Sequence, residues 1–305
     1  MTGNFQRYLR AKRTVDDRAL DRRLVDTLRD QLAVRAETVD GPLRVLEVGA
    51  GIGTMLTRFL AWDVLPAGDI RYTAVDVDPE SIAGIEPYLR EWAADRSAAV
   101  SGTETLTIDC PDRTVELAPV TAEAVSYADE TAGEWDVLVG AALLDIFDLD
   151  GLETLLGALA PGGICYFPIT FDGATRFRPA DPADRAIEQH YHGHMDEKPG
   201  GNSRAGGDLL ARLQRADDVT LLGAAGSDWV VRPIDGKYPG DEAYFLRYIL
   251  DTVESAVGEI TDDTFEGLDE WLARRREHLD AGELLYLTHQ LDVLGRIDGS
   301  ETTGE

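Results

Sequence analysis

Three glycines at alternate positions, Gly49, Gly51 and Gly53, close a turn between the apolar run Leu43 to Val48 and a helix expected from Thr54. Glycine reaches positive φ and lets a ligand approach its backbone, and the next helix N-terminus presents free N–H groups. A small molecule bound on that turn is the chemistry this spacing predicts. Two acids stand near it: Glu47, two residues before Gly49, and Asp76, which ends a second apolar run, Ile70 to Val75. Asp76 can act as a helix N-cap, but Asp78, directly before Pro79, fits that role better and leaves Asp76 for a ligand. A second cluster, His190, His192 and His194, holds three of the five histidines. In an extended loop, alternate positions share a side. These imidazoles are therefore open to metal ligation, to work as a general base, or to hydrogen bonding with a polar substrate. No metal site is assigned. His190, His194 and Asp172, the last expected at the tip of a strand, are the candidate bases. Arg13, with Tyr8 and Arg10 beside it, suits an anionic group because guanidinium pairs bidentately with carboxylate; a salt-bridged helix face is the alternative. Tyr8, Arg13, His192 and Trp229 are the candidate substrate contacts, with core packing the competing role for Trp229.

The elements that would position these residues alternate strand and helix, the pattern of an α/β sheet. A dinucleotide fingerprint would place its third glycine one residue later, where Thr54 stands. An acid followed by Gly-x-Gly-x-Gly resembles motif I of the class I S-adenosylmethionine (SAM)-dependent methyltransferases. The resemblance continues through Asp76-Val77-Asp78-Pro79, Val120 to Ala124, Trp135 to Ala141 and Leu159 to Ile169, covering residues 43 to 170 in order. It implies a Rossmann-like, doubly wound, seven-stranded and mostly parallel sheet, with N-terminal helices and a helical and loop cap built from insertions. It also implies SAM as cofactor, held by Glu47, Gly49, Ala50, Gly51, Gly53, Asp76, Val77, Glu123, Ala124 and Gly140. In that family the acid at Asp76 accepts from the ribose hydroxyls. Glu123 and Ala124 match the segment at the base, and the strand ending at Gly140 borders the methionine part. A solvated surface role is the alternative for Glu123.

Residues 1–40 form an N-terminal helical segment, a short helix over Phe5 to Arg13 and an amphipathic one marked by Leu20, Leu24, Leu28 and Leu32. The resemblance implies that this segment closes over the cofactor. The resemblance implies that residues 41–232 form a SAM-binding domain, with a lid insertion at 172–206 expected to leave the sheet at Thr170 to Gly173. Helices are expected over 208–215, 242–257 and 264–279, and Val219 to Val231 reads as strand six with its exit. Residues 283–294 fit helix or strand spacing and are taken as an antiparallel last strand. Residues 233–305 thus make a helical cap and that strand.

Composition narrows the partners. Net charge is −28, and only Lys12, Lys198 and Lys237 among the 29 basic residues are lysines. Such a surface stays hydrated in strong salt and points to a halophilic source. It lacks the positive footprint of a nucleic-acid binder. Residues 1–30 are the exception, with eight basic residues against five acids. Cys110 and Cys165 lack metal or redox spacing, which suits a reducing compartment. No targeting signal or membrane-length apolar run is present, so a cytoplasmic protein without a membrane partner is expected. Methyl transfer to an O or N nucleophile of a small metabolite by in-line displacement is the expected reaction. A protein methyltransferase and a non-catalytic SAM-binding regulator are the alternatives.

Overall fold

The computed structural model describes residues 2–260 and 267–299. The chain opens with α1 (Thr2–Ala19) and α2 (Arg22–Thr38), then enters β1 (Leu43–Val48), α3 (Thr54–Ala61), β2 (Gly68–Asp76) and α4 (Pro79–Ala94). A hairpin of β3 (Ala99–Gly102) and β4 (Leu106–Asp109) precedes β5 (Arg113–Thr121), α5 (Ala124–Glu130) and β6 (Trp135–Val139). Then come α6 (Leu152–Gly157), the long β7 (Leu159–Arg178), α7 (Asp184–Glu197) and α8 (Ala205–Leu213). The last part runs β8 (Val219–Gly226), β9 (Trp229–Val231), α9 (Glu242–Ile260), α10 (Leu268–Asp280) and β10 (Leu285–Ile297).

The strands form one sheet in the order β3-β4-β5-β2-β1-β6-β7-β10-β8, with β9 paired to the start of β10. β5, β2, β1, β6 and β7 are parallel, and β10 runs against β7 and β8. β1 and β6 are buried almost throughout and are apolar apart from Arg44, Glu47 and Asp136. Local signals set several boundaries. Asp21 caps α2 by accepting from the N–H groups of Arg23 and Leu24, and Asp78 caps α4 through those of Glu80 and Ser81. The α2 leucine stripe is buried as its spacing demands. Leu28 and Leu32 are 0% exposed, worth about 2 kcal/mol each in burial alone. One apolar cluster joins α2 and α3 to the sheet, a second joins α5, α6 and α8 to the other face, and a third knits α1, α9 and α10 into a cap.

The sheet has ten strands rather than seven. The extra hairpin β3–β4 extends the β5 edge, and β9 forms because the chain after β8 folds back along β10. Thr170 to Gly173 do not leave the sheet. β7 continues to Arg178, paired with β10 through Thr170↔Leu291, Thr175↔Thr288 and Arg178↔Leu285. Ile169, Gly173 and Ala174 take positive φ, and the register shifts beside them, so β7 bends without ending. The 172–206 segment is consequently a strand extension followed by a helix, not a long loop. The expected start of α10 at Thr264 lies outside the described residues; Leu268–Asp280 is helical. No helix among the described residues is long and apolar enough to cross a membrane.

Candidate active site

At the carboxyl ends of β1 and β2 the chain folds back on itself through backbone bonds. Gly49, Gly51 and Gly53 have φ of 66°, 55° and 81°, values an L side chain rarely adopts. A Cβ at Gly49 would come within 2.8 Å of the Leu143 side-chain tip, so the loop after β6 packs directly on this turn. Asp76 holds the turn: Oδ2 accepts from the Gly51 N–H at 2.8 Å and Oδ1 from the Asp78 N–H at 2.9 Å. Beneath it Glu47 is buried and accepts from the Tyr72 hydroxyl at 2.6 Å. Burial pushes this carboxyl up to about 7, against the Tyr72 hydrogen bond and the Arg58 charge.

A cavity of about 420 Å³ opens above this turn. Its floor is Gly49 to Gly51 and Glu47, its sides Asp76 to Asp78, Ala122 to Ala124 and Ala141 to Leu143, and its cover α1. Phe5, Leu9, Lys12 and Asp16 face it, one helical stripe at intervals of four, three and four. Lys12 pairs with Asp16 at 3.1 Å and lies over the Trp229 ring. Arg58, 1% exposed, spends Nε on Asp17 at 2.6 Å, yet its Nη2 has no hydrogen-bond partner. Among the described residues that nitrogen's only charge partner is Asp16, at 3.8 Å, so its hydrogen bond is still unspent, and beside a lysine it can take a ligand carboxylate.

The sheet order decides the architecture. Setting aside the hairpin and β9, the strands stand third-second-first-fourth-fifth-seventh-sixth with the seventh reversed, and the glycine turn lies where the order switches direction. The fold is that of the class I SAM-dependent methyltransferases. No family model matches the sequence. A protein of Haloarcula marismortui named "Probable ribosomal RNA small subunit methyltransferase A" is 38% identical over 105 residues, which span 34% of this chain and 31% of that protein. A solved structure from Bacillus halodurans C-125, described as a "putative methyltransferase", is 12% identical with TM-score 0.48, over 88% of this chain and 99% of that one. The geranyl diphosphate C-methyltransferase of Streptomyces coelicolor A3(2) is 11% identical with TM-score 0.42, over 91% and 76%.

The methyltransferase fold distributes the sequence-predicted residues unevenly. Glu47, Gly49, Ala50, Gly51, Asp76, Val77, Glu123 and Ala124 line the cavity. Gly53 starts α3, and Gly140 packs in the sheet, where a Cβ would lie 3.1 Å from Phe167. Glu123 caps α5, accepting from Val125 and Ser126; burial raises its pKa, but those hydrogen bonds outweigh it and the net shift is down. Arg13 is not brought in. It donates to the Tyr88 hydroxyl at 2.8 Å and pairs with Asp17, because it sits one residue, about 100°, round the helix from Lys12. Lys12 is the residue that sequence reasoning missed, and the stripe Phe5, Leu9, Lys12, Asp16 was the signal that marks it.

The histidines do not converge. They lie on α7, not on an extended loop, so His190 and His194 share a face and His192 points elsewhere. His192 meets the Thr175 hydroxyl at 2.9 Å, and burial lowers its pKa. His194 meets Glu259 at 2.7 Å and borders a neighbouring cavity. No metal-holding group of His, Cys, Asp and Glu occurs among the described residues. Asp172, inside β7 rather than at a tip, accepts from the Gly207 N–H at 2.8 Å and lines neither cavity. Tyr8 and Trp229 line a third cavity that continues from the first, and Trp229 Nε1 donates to Asp16 at 3.0 Å. Asp145, unforeseen in the sequence, borders the second and third cavities, and burial raises its pKa.

Proposed function

We propose that the chain is a SAM-dependent methyltransferase acting on an O or N nucleophile of a small molecule. The observation that carries this reading is the turn itself: three left-handed glycines pinned by Asp76 at the sheet's switch point, under a cavity lined by Lys12 and by Arg58, whose Nη2 makes no hydrogen bond. The residues fit the cofactor. Asp76 and Val77 would hold the ribose side, Ala122 to Ala124 the base, and Lys12 with Arg58 the methionine carboxylate. Bound SAM supplies an electrophilic methyl group. The chain's own part is alignment, exclusion of water by α1, and acceptance of one proton. The cavity continuing past Lys12 and Leu9 would give the acceptor a place next to the donor.

The haloarchaeal relative carries a ribosomal RNA methyltransferase name, which favours RNA as a second substrate reading. A net charge of −28 opposes it, since phosphate binding draws on Lys and Arg. A regulator that binds SAM without turnover would need no second chamber. Calorimetric titration of the full chain with SAM, and separately with S-adenosylhomocysteine (SAH), in molar potassium chloride tests the proposal. Binding of both supports it; a folded protein that binds neither overturns it.

A further inference from the structure

The chamber beyond Lys12 has a volume of about 340 Å³ and is walled by aromatic rings, among them Tyr8, Tyr191, Trp229 and Tyr248. Tyr8 and Tyr248 stack with centroids 4.2 Å apart, so this wall is preformed. Its charged and polar groups have one bias. Lys12 is the sole basic residue among the described residues lining it; it pairs with Asp16 at 3.1 Å, and under the reading above its remaining capacity goes to the donor's carboxylate. Asp145 contributes a carboxylate, and its backbone is fixed by the Asn202 N–H donating to its carbonyl at 2.9 Å. Gln290, 2% exposed, gives its amide nitrogen to Thr288 at 3.1 Å and leaves Oε1 with no partner. Beside tyrosine and threonine hydroxyls, which donate or accept, the chamber offers a carboxylate, an amide oxygen with no partner, π-faces and no unneutralised cation. An anionic acceptor would be repelled by Asp145 and find no counter-charge. A cation with N–H donors would meet the carboxylate, the orphan amide oxygen and ring faces that attract positive charge.

Resting on the methyltransferase reading above, we infer that the methyl acceptor is an amine on an apolar body, held in this chamber with its ammonium paired to Asp145. The ammonium passes one proton to an Asp145 carboxylate oxygen. The freed nitrogen lone pair then forms the N–C bond as the methyl's bond to sulfur breaks, its electron pair staying on sulfur. An N-methylated ammonium leaves, and Asp145 returns its proton to solvent. Burial, which raises the Asp145 pKa, makes that oxygen a better base than a surface carboxylate.

The test is calorimetric. The full chain is first loaded with SAH, then titrated with phenethylamine, 2-phenylethanol and phenylacetate, which share a ring and differ in the polar group. The amine should bind about tenfold or more tighter than the alcohol, as a charge-assisted hydrogen bond implies, and the carboxylate weakest. In Asp145→Asn the amine should lose its advantage over the alcohol while SAH binds as before. Alcohol or carboxylate binding as tightly as the amine, no amine binding at all, or an advantage that survives Asp145→Asn would overturn the inference. Failure of SAH to bind in the first step sinks the donor reading itself, and is seen before any acceptor is added.

Discussion

Asp76 and Glu47 differ by environment more than by type. Asp76 spends one oxygen on each of two backbone N–H groups and so fixes the turn that a nucleoside would rest on. Asp76→Ala should lower SAH affinity about tenfold to a hundredfold, the range expected for losing charge-assisted hydrogen bonds; unchanged affinity by calorimetry would reject the placement of the ribose there. Glu47 is a buried acid whose folded pKa, about 7, lies above its ordinary 4.5. Below 4.5 the carboxyl is protonated in both states and costs nothing. Between 4.5 and 7 the unfolded chain ionises while the folded protein keeps its proton, so stability falls as pH rises, by about 3 kcal/mol in total. Glu47→Gln should therefore raise the urea midpoint at pH 8 and leave it unchanged near pH 4. A variant equally stable with wild type at both values would show that Glu47 is ionised at no cost. A sulfonium-bearing ligand in this cavity would favour the charged carboxylate, so SAM binding should release a proton near pH 6.5.

α1 is the element that makes a cavity out of a surface, and α9 holds it. Glu242, 0% exposed, accepts from Thr14 at 2.7 Å and from both Arg18 Nη atoms at 2.6 and 2.9 Å, and Arg7 pairs with Asp241 beside it. Glu242→Gln removes the charge from that cluster and should cost about 1–3 kcal/mol, read as a lower urea midpoint, faster proteolysis within residues 2–19 and weaker SAH binding. Full SAH affinity with a loosened α1 would show that the helix does not cover the site. How legible each element was depends on how far away its causes lie. The glycine turn, the Asp78 cap and the α2 leucine stripe are written within a few neighbouring residues, and they are where the sequence places them. Lys12 was also written locally, in the 5-9-12-16 stripe, whereas Arg13 lies one position round the helix and pairs with Tyr88 and Asp17. α7 carries Ile187, Tyr191 and His194 at helical spacing, and its three histidines at alternate positions imitated a strand. The bend of β7 past Ile169 depends on β10, more than a hundred residues later, with Asp292 accepting from the Ile169 N–H at 2.8 Å; no local pattern announces it. Asp145 was hidden for the same reason, because its chamber is assembled from α1, α7, α9 and β10.

At the scale of the whole molecule, charge sets the conditions under which these elements stay together. A net −28 is spread over a chain whose basic residues are largely committed to pairs: Arg35 and Arg44 on Asp136, Arg58 on Asp17, Arg113 on Asp63 and Asp112, Arg276 on Asp251 and Glu254. The surplus acids have no such partners in number, and their repulsion opposes compaction. Added salt should therefore stabilise the protein, with two separable components. Screening is nearly complete once the Debye length falls to about 3 Å near 1 M, so a rise in Tm due to repulsion should flatten there. Exposed pairs such as Arg7 with Asp241 weaken over the same range, which makes the measured gain a lower bound on the repulsion relieved. A Tm that keeps climbing between 1 and 3 M potassium chloride would have another source, the strengthened burial of apolar surface in concentrated salt. The two are separated by repeating the scan with sucrose, which favours burial without screening charge. A protein built for strong salt should respond to potassium chloride below 1 M far more than to sucrose; a Tm flat across the whole salt range would mean that the acids are too widely spaced to repel, and the halophilic reading of this surface would fall with it.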